Sequence, residues 1–542
     1  MKKQLLTLAL CAFMLSATAG NVDYNVIPMP QKIETMKGQP FILSSATPIV
    51  CEGTSPEMKQ NAAFLADYVA QITGIRLHQT AKKDKRQASI VLLIDPKIQG
   101  REAYRLTVSG KQITIAGNTS AGVFYGIQTL RKSLPIQTTE SQISLPAVQI
   151  TDAPRFGYRG MMLDCARHFF PISFVKKYID IMALHNMNVF HWHLTEDQGW
   201  RIEIKSLPRL AEVASKRSGT VVGHNSMIDD SIAYGGYYTQ EEAREIVEYA
   251  RQRNITVIPE IDMPGHMLAA LAAYPELGCT GGPYEVGHKW GVYKDVLCLG
   301  NEKIYTFVQK VIDEICDIFP AKYFHIGGDE TPTARWEVCP KCQQLAKEQN
   351  IDVKKLQQYF TNRIEKYVNS KGKSIIGWDE ILEGDIHPSA TIMSWRGVEP
   401  GQKAALQGHD VIMTPVSHAY FDYYQSKNTK NEPDAIGGFL PVVKVYEFEP
   451  TPPTFSPEAK NHILGVQANL WTEYIPFTTQ AEYMVLPRMA ALAEVQWIPA
   501  ERKNFKEFVA RSRRMSDLYD LYGYEYARHL WKDKWRPTNA VW

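Results

Sequence analysis

The chain has 542 residues, 44% hydrophobic and 22% charged, an ordinary globular make-up. Lys plus Arg number 60 and Asp plus Glu 58, a formal charge of +2 that sets up no field for a polyanion, so nucleic acid is excluded as a partner class. No segment supplies the ~20 consecutive apolar residues of a membrane span, which argues against an integral membrane protein.

The first residues read as an export leader over residues 1–19. Lys2 and Lys3 make a positive start, Leu5 to Leu15 is apolar, and Ala17-Thr18-Ala19 is a small-x-small cleavage site. The mature chain is expected to begin near Gly20, in the periplasm or outside the cell. A lipid anchor at Cys11 is the less favoured alternative, because Leu10 is bulkier than such sites prefer.

Residues 20–152 predict a small α/β domain with a short sheet and two helices. Its strands are placed at Ser89–Ile94, Tyr104–Ser109 and Gln112–Ala116. The helices are placed at Glu57–Thr73 and Ser120–Ser133, the second opened by Asn118-Thr119-Ser120 as a capping cluster. A proline-rich join from Leu145-Pro146 to Ala153-Pro154 closes it.

Over residues 153–542 the period changes to short apolar strands alternating with longer amphipathic helices. Strands are expected at Gly157–Asp164, Asn188–Leu194, Ile255–Ile261, Tyr323–Gly327, Ser374–Gly377, Thr391–Trp395, Asp410–Thr414 and Ile463–Leu470. Helices at Phe174–His185, Glu241–Arg253, Glu302–Phe319 and Val353–Lys371 fall between them, and a helical segment ends the chain. Eight βα units predict a (β/α)8 TIM barrel. An open doubly wound sheet is disfavoured, since no Gly-rich phosphate loop follows the first strand.

Catalysis in such a barrel sits at the C-terminal ends of the strands, and polar residues gather there. Strand one ends in Asp164 with Arg167 and His168 beyond, and strand two in Thr195-Glu196-Asp197. The third gives Glu260, Asp262 and Pro264-Gly265-His266, and the fourth Gly327-Gly328-Asp329-Glu330. Trp378-Asp379-Glu380 follows the fifth, Trp395-Arg396 the sixth and Trp471-Thr472-Glu473 the eighth. Asp329-Glu330 stands out from other acidic pairs because an apolar strand and two glycines precede it, letting other groups approach the backbone. Asp313-Glu314, by contrast, lies inside a predicted helix and reads as a solvated face.

His191 and His193 share one face of a strand. They are either metal ligands of a hydrolase or interior residues hydrogen-bonded to neighbours, and the second is favoured because the last strand offers no clear metal-binding Asp or His. His266 sits on a tight turn past a strand end, where a catalytic-support role is favoured. Trp378, Trp395 and Trp471 beside carboxylates suggest an apolar box suited to the methyl of an N-acetyl group. Outside the leader seven cysteines remain, an odd number. Cys279 and Cys298 flank a Gly-rich loop and offer a disulfide if the compartment is oxidising. Cys339-Pro-Lys-Cys342 could be a disulfide, two thiols or half a zinc site, the last disfavoured because no second CxxC or CxxH completes it.

Taken in order, Arg159-Gly160-Met161-Met162-Leu163-Asp164, His191-Trp192-His193-Leu194-Thr195-Glu196-Asp197, Asp262-Met263-Pro264-Gly265-His266, Gly327-Gly328-Asp329-Glu330, Gly377-Trp378-Asp379-Glu380, Ser394-Trp395-Arg396-Gly397 and Leu470-Trp471-Thr472-Glu473 resemble glycoside hydrolase family 20, the β-N-acetylhexosaminidases. The likeness covers nearly all of the mature chain. It implies an exo-acting, retaining enzyme acting on a glycan with a terminal N-acetylhexosamine, without metal or organic cofactor. Glu330 would be the acid/base, and Asp329 would hold the acetamide N–H while the carbonyl oxygen attacks C1, the substrate-assisted exception to the two-carboxylate scheme. Tyr420 would bond the acetamide carbonyl within Trp378, Trp395 and Trp471. Arg167, Asp422 and Glu473 would grip the ring hydroxyls, and His266 would pair with a strand-two acid. Glu196-Asp197 departs from the family's Asp-Asp, and alignment points to Glu196 as the partner. A glycan-binding protein with a dead barrel would have lost some of these residues, and all are present. The loops Ser218–Tyr237 and Gly278–Leu297 are expected to shape the aglycone side.

Overall fold

A computed structural model describes residues 22–531 except 54, 82, 83, 85, 137 and 139, so the leader at residues 1–19 and the Cys11 alternative lie outside the described residues. The first unit is built on a mixed seven-stranded sheet, in the spatial order Lys32–Thr35, Val148–Asp152, Tyr104–Ser109, Gln112–Gly117, Ser89–Ile94, Pro48–Cys51, His78–Thr80. Phe41–Ser44 and Gln142–Leu145 form a separate antiparallel pair. The sheet is therefore wider than the short one expected. Its unforeseen strands run for only three to five residues and find partners far along the chain, as Lys32 does opposite Thr151.

Two helices, Pro56–Thr73 and Ser120–Ser133, accompany this sheet. The first starts where the Ser55 side chain accepts from the Met58 N–H and stops at Gly74 in the left-handed region (φ 80°). In the second, every residue from Gly122 to Ser133 is buried, because it lies between the sheet and the barrel. Lys132 Nζ crosses to the Leu184 carbonyl (3.1 Å) and Asn186 Oδ1 (3.0 Å). The expected capping cluster acts otherwise: Thr119 Oγ1 donates to the Arg101 carbonyl and Asn118 Nδ2 to that of Ile98, tying down the preceding loop.

Eight parallel strands then close into a barrel, numbered here β1 (Tyr158–Asp164), β2 (Val189–His193), β3 (Thr256–Glu260), β4 (Tyr323–His325), β5 (Ser374–Trp378), β6 (Thr391–Ser394), β7 (Val411–Met413) and β8 (Ile463–Ala468). Each is a mostly buried apolar run, as a strand covered by helices outside and side chains inside must be. Ile172–Leu184, Gln240–Gln252, Glu302–Ile318 and Leu356–Ser370 cover the first four crossovers. Between β5 and β6 only a short 3-10 turn, Asp379–Glu383, intervenes. Tyr158, Met162, Ile258, Ile376, Met393 and Ile412 fill the barrel's interior. Glu314 is not merely a solvated residue: its carboxylate accepts the N–H groups of Lys205 (2.6 Å) and Ser206 (2.9 Å) and fastens an outer helix to the loop after β2.

The two units are joined by buried polar contacts. Arg159 Nη1 meets Glu102 Oε2 at 2.7 Å, and Trp497 Nε1 donates to Asp152, 3.1 Å away. The final helix, Phe505–Tyr522, lies against both units, with the Arg514 Nε–H on the Lys132 carbonyl and Tyr519 Oη 2.7 Å from His185 Nε2. All seven described cysteines carry free thiols. The disulfide open to Cys279 and Cys298 is not formed; instead both lie in one cluster with Cys339 and Cys342.

Candidate active site

Paired positions on neighbouring parallel strands face the same side. His193 on β2 pairs with Glu260 on β3, and Glu260 with His325 on β4, so all three point into the barrel. His191 joins them two residues earlier, while Trp192 faces outward against Phe190 and Tyr238. Glu260 Oε2 lies 2.5 Å from His193 Nδ1 and 2.9 Å from His191 Nε2. Its Oε1 accepts from Trp378 Nε1 at 2.9 Å and lies 3.1 Å from His325 Nδ1. Burial would raise the Glu260 carboxyl, but His193, His325 and His191 outweigh it and hold it well below the usual range. Burial would likewise lower His193, and Glu260 more than reverses this. His191 is pushed down to about 4 by burial and by His325. The interior histidines thus gather around one carboxylate, with His193 hydrogen-bonded to it, and the ligand atoms of His191, Glu260 and His325 all lie within 4.8 Å of one another.

Above this floor the chain after β4 makes a tight turn. Gly327 (φ 67°) and Gly328 (φ 96°) are left-handed, and a Cβ on Gly327 would fall 1.8 Å from Asp262 Oδ1. The same oxygen accepts the Gly328 N–H at 3.0 Å. Glu330 (φ 45°) and His266 (φ 52°) are left-handed as well. That conformation costs a residue with a Cβ about 1–2 kcal/mol, and such strain gathers at functional sites. The turn lifts Asp329 and Glu330 to the mouth, with side chains 13% and 45% exposed.

His266 connects this turn to the end of β2. Its Nε2 lies 3.8 Å from both Asp329 Oδ2 and Glu330 Oε2. Its Nδ1 lies 2.9 Å from Glu196 Oε2 and 3.1 Å from Asp197 Oδ2, so the two strand-two acids share it. Glu196 also meets Arg167 Nη2 at 2.9 Å and His193 Nε2 at 3.2 Å, while Asp197 accepts the Leu268 N–H at 3.0 Å.

The aromatic residues form the facing wall. Trp378 and Trp471 have ring centres 5.7 Å apart, and Tyr420 stands 6.5 Å from Trp471 and 6.2 Å from Trp395. The Arg167 guanidinium lies over Trp471 at 5.0 Å and reaches Asp164 (3.3 Å) and Glu473 (3.9 Å). Asp422 is 2% exposed, and neither of its carboxylate oxygens has a protein partner. The same is true of Glu473 Oε2, Asp329 Oδ1 and Arg167 Nε. The catalytic and sugar-binding candidates of the sequence therefore converge on one mouth, and several of its buried polar atoms point at no protein group.

The charges are strongly perturbed. Burial, then the Asp329 carboxylate, raises Glu330 above the usual carboxyl range. Burial and Glu473 hold Asp422 well above it. Burial would lower His266, but Glu196 and Asp197 keep it well above the ordinary histidine value. Burial would raise Glu196, yet Arg167 and His266 hold it low. A cavity of about 1090 Å³ lies instead at the starts of the strands, beside Glu102, Tyr158, Thr256 and Tyr323. Its acids Glu102 and Glu57 are paired with Arg159 and Arg251, so it offers no comparable chemistry.

Residues 156–500 match the model of the glycosyl hydrolase family 20 catalytic domain, and residues 23–153 match that family's domain 2. The chain belongs to glycosyl hydrolase family 20. This family 20 chain is 42% identical over 510 residues to a beta-hexosaminidase of Porphyromonas gingivalis, covering 93% of its own length and 64%, under two thirds, of that relative. It is 37% identical to a beta-hexosaminidase of Vibrio furnissii, covering 86% of its own length and 76% of that protein. Among solved structures, a family 20 exo beta-N-acetylglucosaminidase of Vibrio harveyi in complex with N-acetylglucosamine superposes with a TM-score of 0.84 at 32% identity, covering 95% of this chain and 80% of that one.

Three acids of the family 20 chain near the mouth, Asp379, Glu380 and Asp262, were not among the candidate site residues. Asp379 and Glu380 resemble the 329–330 pair in sequence, but their roles divide. Asp379 holds the Arg396 side chain and accepts the Trp395 and Arg396 N–H groups, whereas Glu380 Oε2 accepts the Trp395 indole N–H at 2.9 Å. Burial, then Asp329, pushes Glu380 up to about 8. Asp262, raised well above the usual range by burial and Asp329, braces the glycine turn. Their nearness to Trp395 and Asp329 exists only in the fold. The loops after β2 and β3 meet beside Glu473: His224 stacks on Tyr474 (4.4 Å), and Trp290 lies 6.4 Å from the same ring.

Proposed function

We propose that this chain is an exo-acting, retaining β-N-acetylhexosaminidase that removes terminal β-GlcNAc or β-GalNAc with the substrate's own acetamide as nucleophile. The observation that carries this reading is the turn that sets Asp329 and Glu330 side by side, each 3.8 Å from His266 Nε2 and facing an aromatic wall. Glu330, with its raised pKa, protonates the departing glycosidic oxygen. As the C1–O bond breaks, the acetamide carbonyl oxygen bonds to C1, and Asp329 holds the N–H and balances the positive charge growing on that nitrogen. Water then attacks C1 from the face the leaving group vacated, giving its proton to Glu330, so the configuration is retained. Tyr420 orients the acetamide carbonyl, and Trp378, Trp395 and Trp471 enclose its methyl.

Arg167, Asp422 and Glu473 hold the ring hydroxyls. Their buried atoms without protein partners suit a ligand rich in donors and acceptors, and a blind end closed by them makes the cut exo. The bound N-acetylglucosamine of the Vibrio harveyi neighbour supports the substrate class. Export to the periplasm or beyond, read from residues 1–19, belongs to the same proposal. Among the described residues no helix is long and apolar enough to cross a membrane.

The test is a matched pair of disaccharides, one with a 2-acetamido group and one with a 2-hydroxyl. The first should be cleaved with retention and the second hardly at all, and a thiazoline mimic of the cyclised intermediate should bind at least ~10²-fold more tightly than substrate. Equal rates on both disaccharides, or a covalent sugar ester trapped on a side chain, would refute acetamide participation.

A further inference from the structure

We propose that Cys279, Cys298, Cys339 and Cys342 form a tetrathiolate site for a structural zinc(II) ion, separate from the catalytic mouth. Their sulfurs come from three places in the chain and all lie within 4.8 Å of one another. The distances are 3.6 Å for Cys298–Cys339, 3.7 Å for Cys298–Cys342 and 3.9 Å for Cys279–Cys342. A tetrahedron with zinc–sulfur bonds of ~2.3 Å has edges of about 3.8 Å, whereas a disulfide would draw its two sulfurs to about 2.05 Å. The observed spacing is that of ligands around a shared centre. Four soft thiolates in tetrahedral array select zinc among the common divalent ions.

The backbone is arranged to hold this geometry. Cys339 precedes Pro340, which opens the helix Pro340–Gln349, so Cys342 returns from its first turn beside Cys339. The other half is braced by the Gly278–Leu297 bridge and by the Cys298 N–H on the Leu277 carbonyl at 2.8 Å. Gly300 lets the halves approach: a Cβ there would lie 2.2 Å from the Lys341 carbonyl oxygen. The Gly300 N–H points at the Cys342 sulfur, as a donor that steadies a thiolate does. Loading exchanges four thiol protons for one divalent cation, so the site gains two negative charges and releases four protons.

The position gives the ion a purpose. Cys279 and Cys298 bracket the loop that follows His266, and Cys339 comes shortly after Glu330 in the chain. The same two segments already meet through Trp336 Nε1 on the Leu297 carbonyl (2.9 Å) and Arg335 on Asp295 (2.6 Å). Zinc would fasten them covalently, keeping the left-handed Glu330 turn against His266 without touching the reaction.

The test uses the full chain, expressed with zinc and purified without added reductant. Elemental analysis should find about one zinc per chain in the parent and none in the Cys339→Ser/Cys342→Ser double variant, whose thermal midpoint should fall. Cobalt(II)-loaded parent should show the intense charge-transfer and ligand-field bands of a tetrahedral tetrathiolate, a readout that stands even if the double variant does not fold. Four free thiols with no zinc bound, an intact mass showing two disulfides, or undiminished zinc in a folded double variant would each overturn the proposal.

Discussion

The sharpest consequence of the site's electrostatics is a pair of pH shifts of opposite sign. In the proposed mechanism Glu330 works as an acid in its protonated form, so the basic limb of kcat/KM falls as pH rises through its pKa. Two charges next to it act in opposite directions: Asp329 raises that pKa and protonated His266 lowers it. At the 3.8 Å separating His266 Nε2 from Glu330 Oε2, unit charges interact by about 1 kcal/mol in water and about 4 kcal/mol near a protein surface. The Glu330 side chain is 45% exposed, which places the coupling at the lower end, ~1–2 kcal/mol, or about one pH unit. His266→Gln should therefore move the basic limb up by about one unit. With that cation gone, the Glu196 carboxylate it neutralises is left to raise Glu330 further, in the same direction. Asp329→Asn should move the limb down, while also lowering the rate. The assay is kcat/KM against pH on an unactivated N-acetylglucosamine disaccharide, where leaving-group protonation is required. If both variants shift the limb the same way, or neither shifts it, Glu330 is not the group being titrated.

Other expectations follow from single contacts. Glu330→Gln should lower turnover on that disaccharide by roughly 10²–10⁴-fold, and much less on an aryl glycoside with a good leaving group; equal losses on both would remove Glu330 from the acid role. Glu260→Gln leaves buried His193 with only the more distant Glu196 as counter-charge, and removing one partner of a buried pair costs about 3–5 kcal/mol. Urea unfolding should show that loss, and a loss below about 1 kcal/mol would mean that the pair is not ionised in the fold. Gly327→Ala must place a Cβ against Asp262 Oδ1 at φ 67°. It should lower stability by at least about 1 kcal/mol and displace Asp329 and Glu330, so unchanged melting and turnover would show that the turn is not tightly determined.

The barrel was legible because its strands are buried on both sides and therefore spell continuous apolar runs ended by turns. Each of the eight expected strands overlaps an observed one, differing mainly at the ends. The first unit was legible only in part. Segments such as Lys32–Thr35, partly exposed and four residues long, become strands because Val148–Thr151 pairs with them, and nothing in their own pattern says so. The mouth divides similarly. Residues directly after strands, such as Glu196, Asp329, Trp378 and Trp471, could be found from position. Tyr420 and Asp422 follow a short helix past β7, are held there by the Tyr420–Asn469 bridge, and came to notice only through the family resemblance. The thiol cluster was hidden for the same reason: the partners of Cys339-Pro-Lys-Cys342 stand in a loop of another βα unit.

The acids at the mouth sort into two sets by their partners, and that sorting is what gives the site its chemistry. Glu196, Glu260 and Asp379 each have a cationic or N–H partner and serve to hold Arg167, His193, His266 and Arg396 in place. Asp329 Oδ1, both oxygens of Asp422 and Glu473 Oε2 have none in the protein. Burying carboxylate oxygens without partners is costly, and a fold tolerates it where a ligand supplies the missing donors. In the proposed reaction, sugar hydroxyls supply them at Asp422 and Glu473, and the acetamide N–H supplies one at Asp329. Only the last changes as the reaction proceeds, because positive charge grows on the acetamide nitrogen while the hydroxyls stay neutral. The interaction at Asp329 thus strengthens in the transition state, whereas those at Asp422 and Glu473 are made equally in the ground state. By that logic Asp329 governs kcat and the hydroxyl-binding pair governs KM.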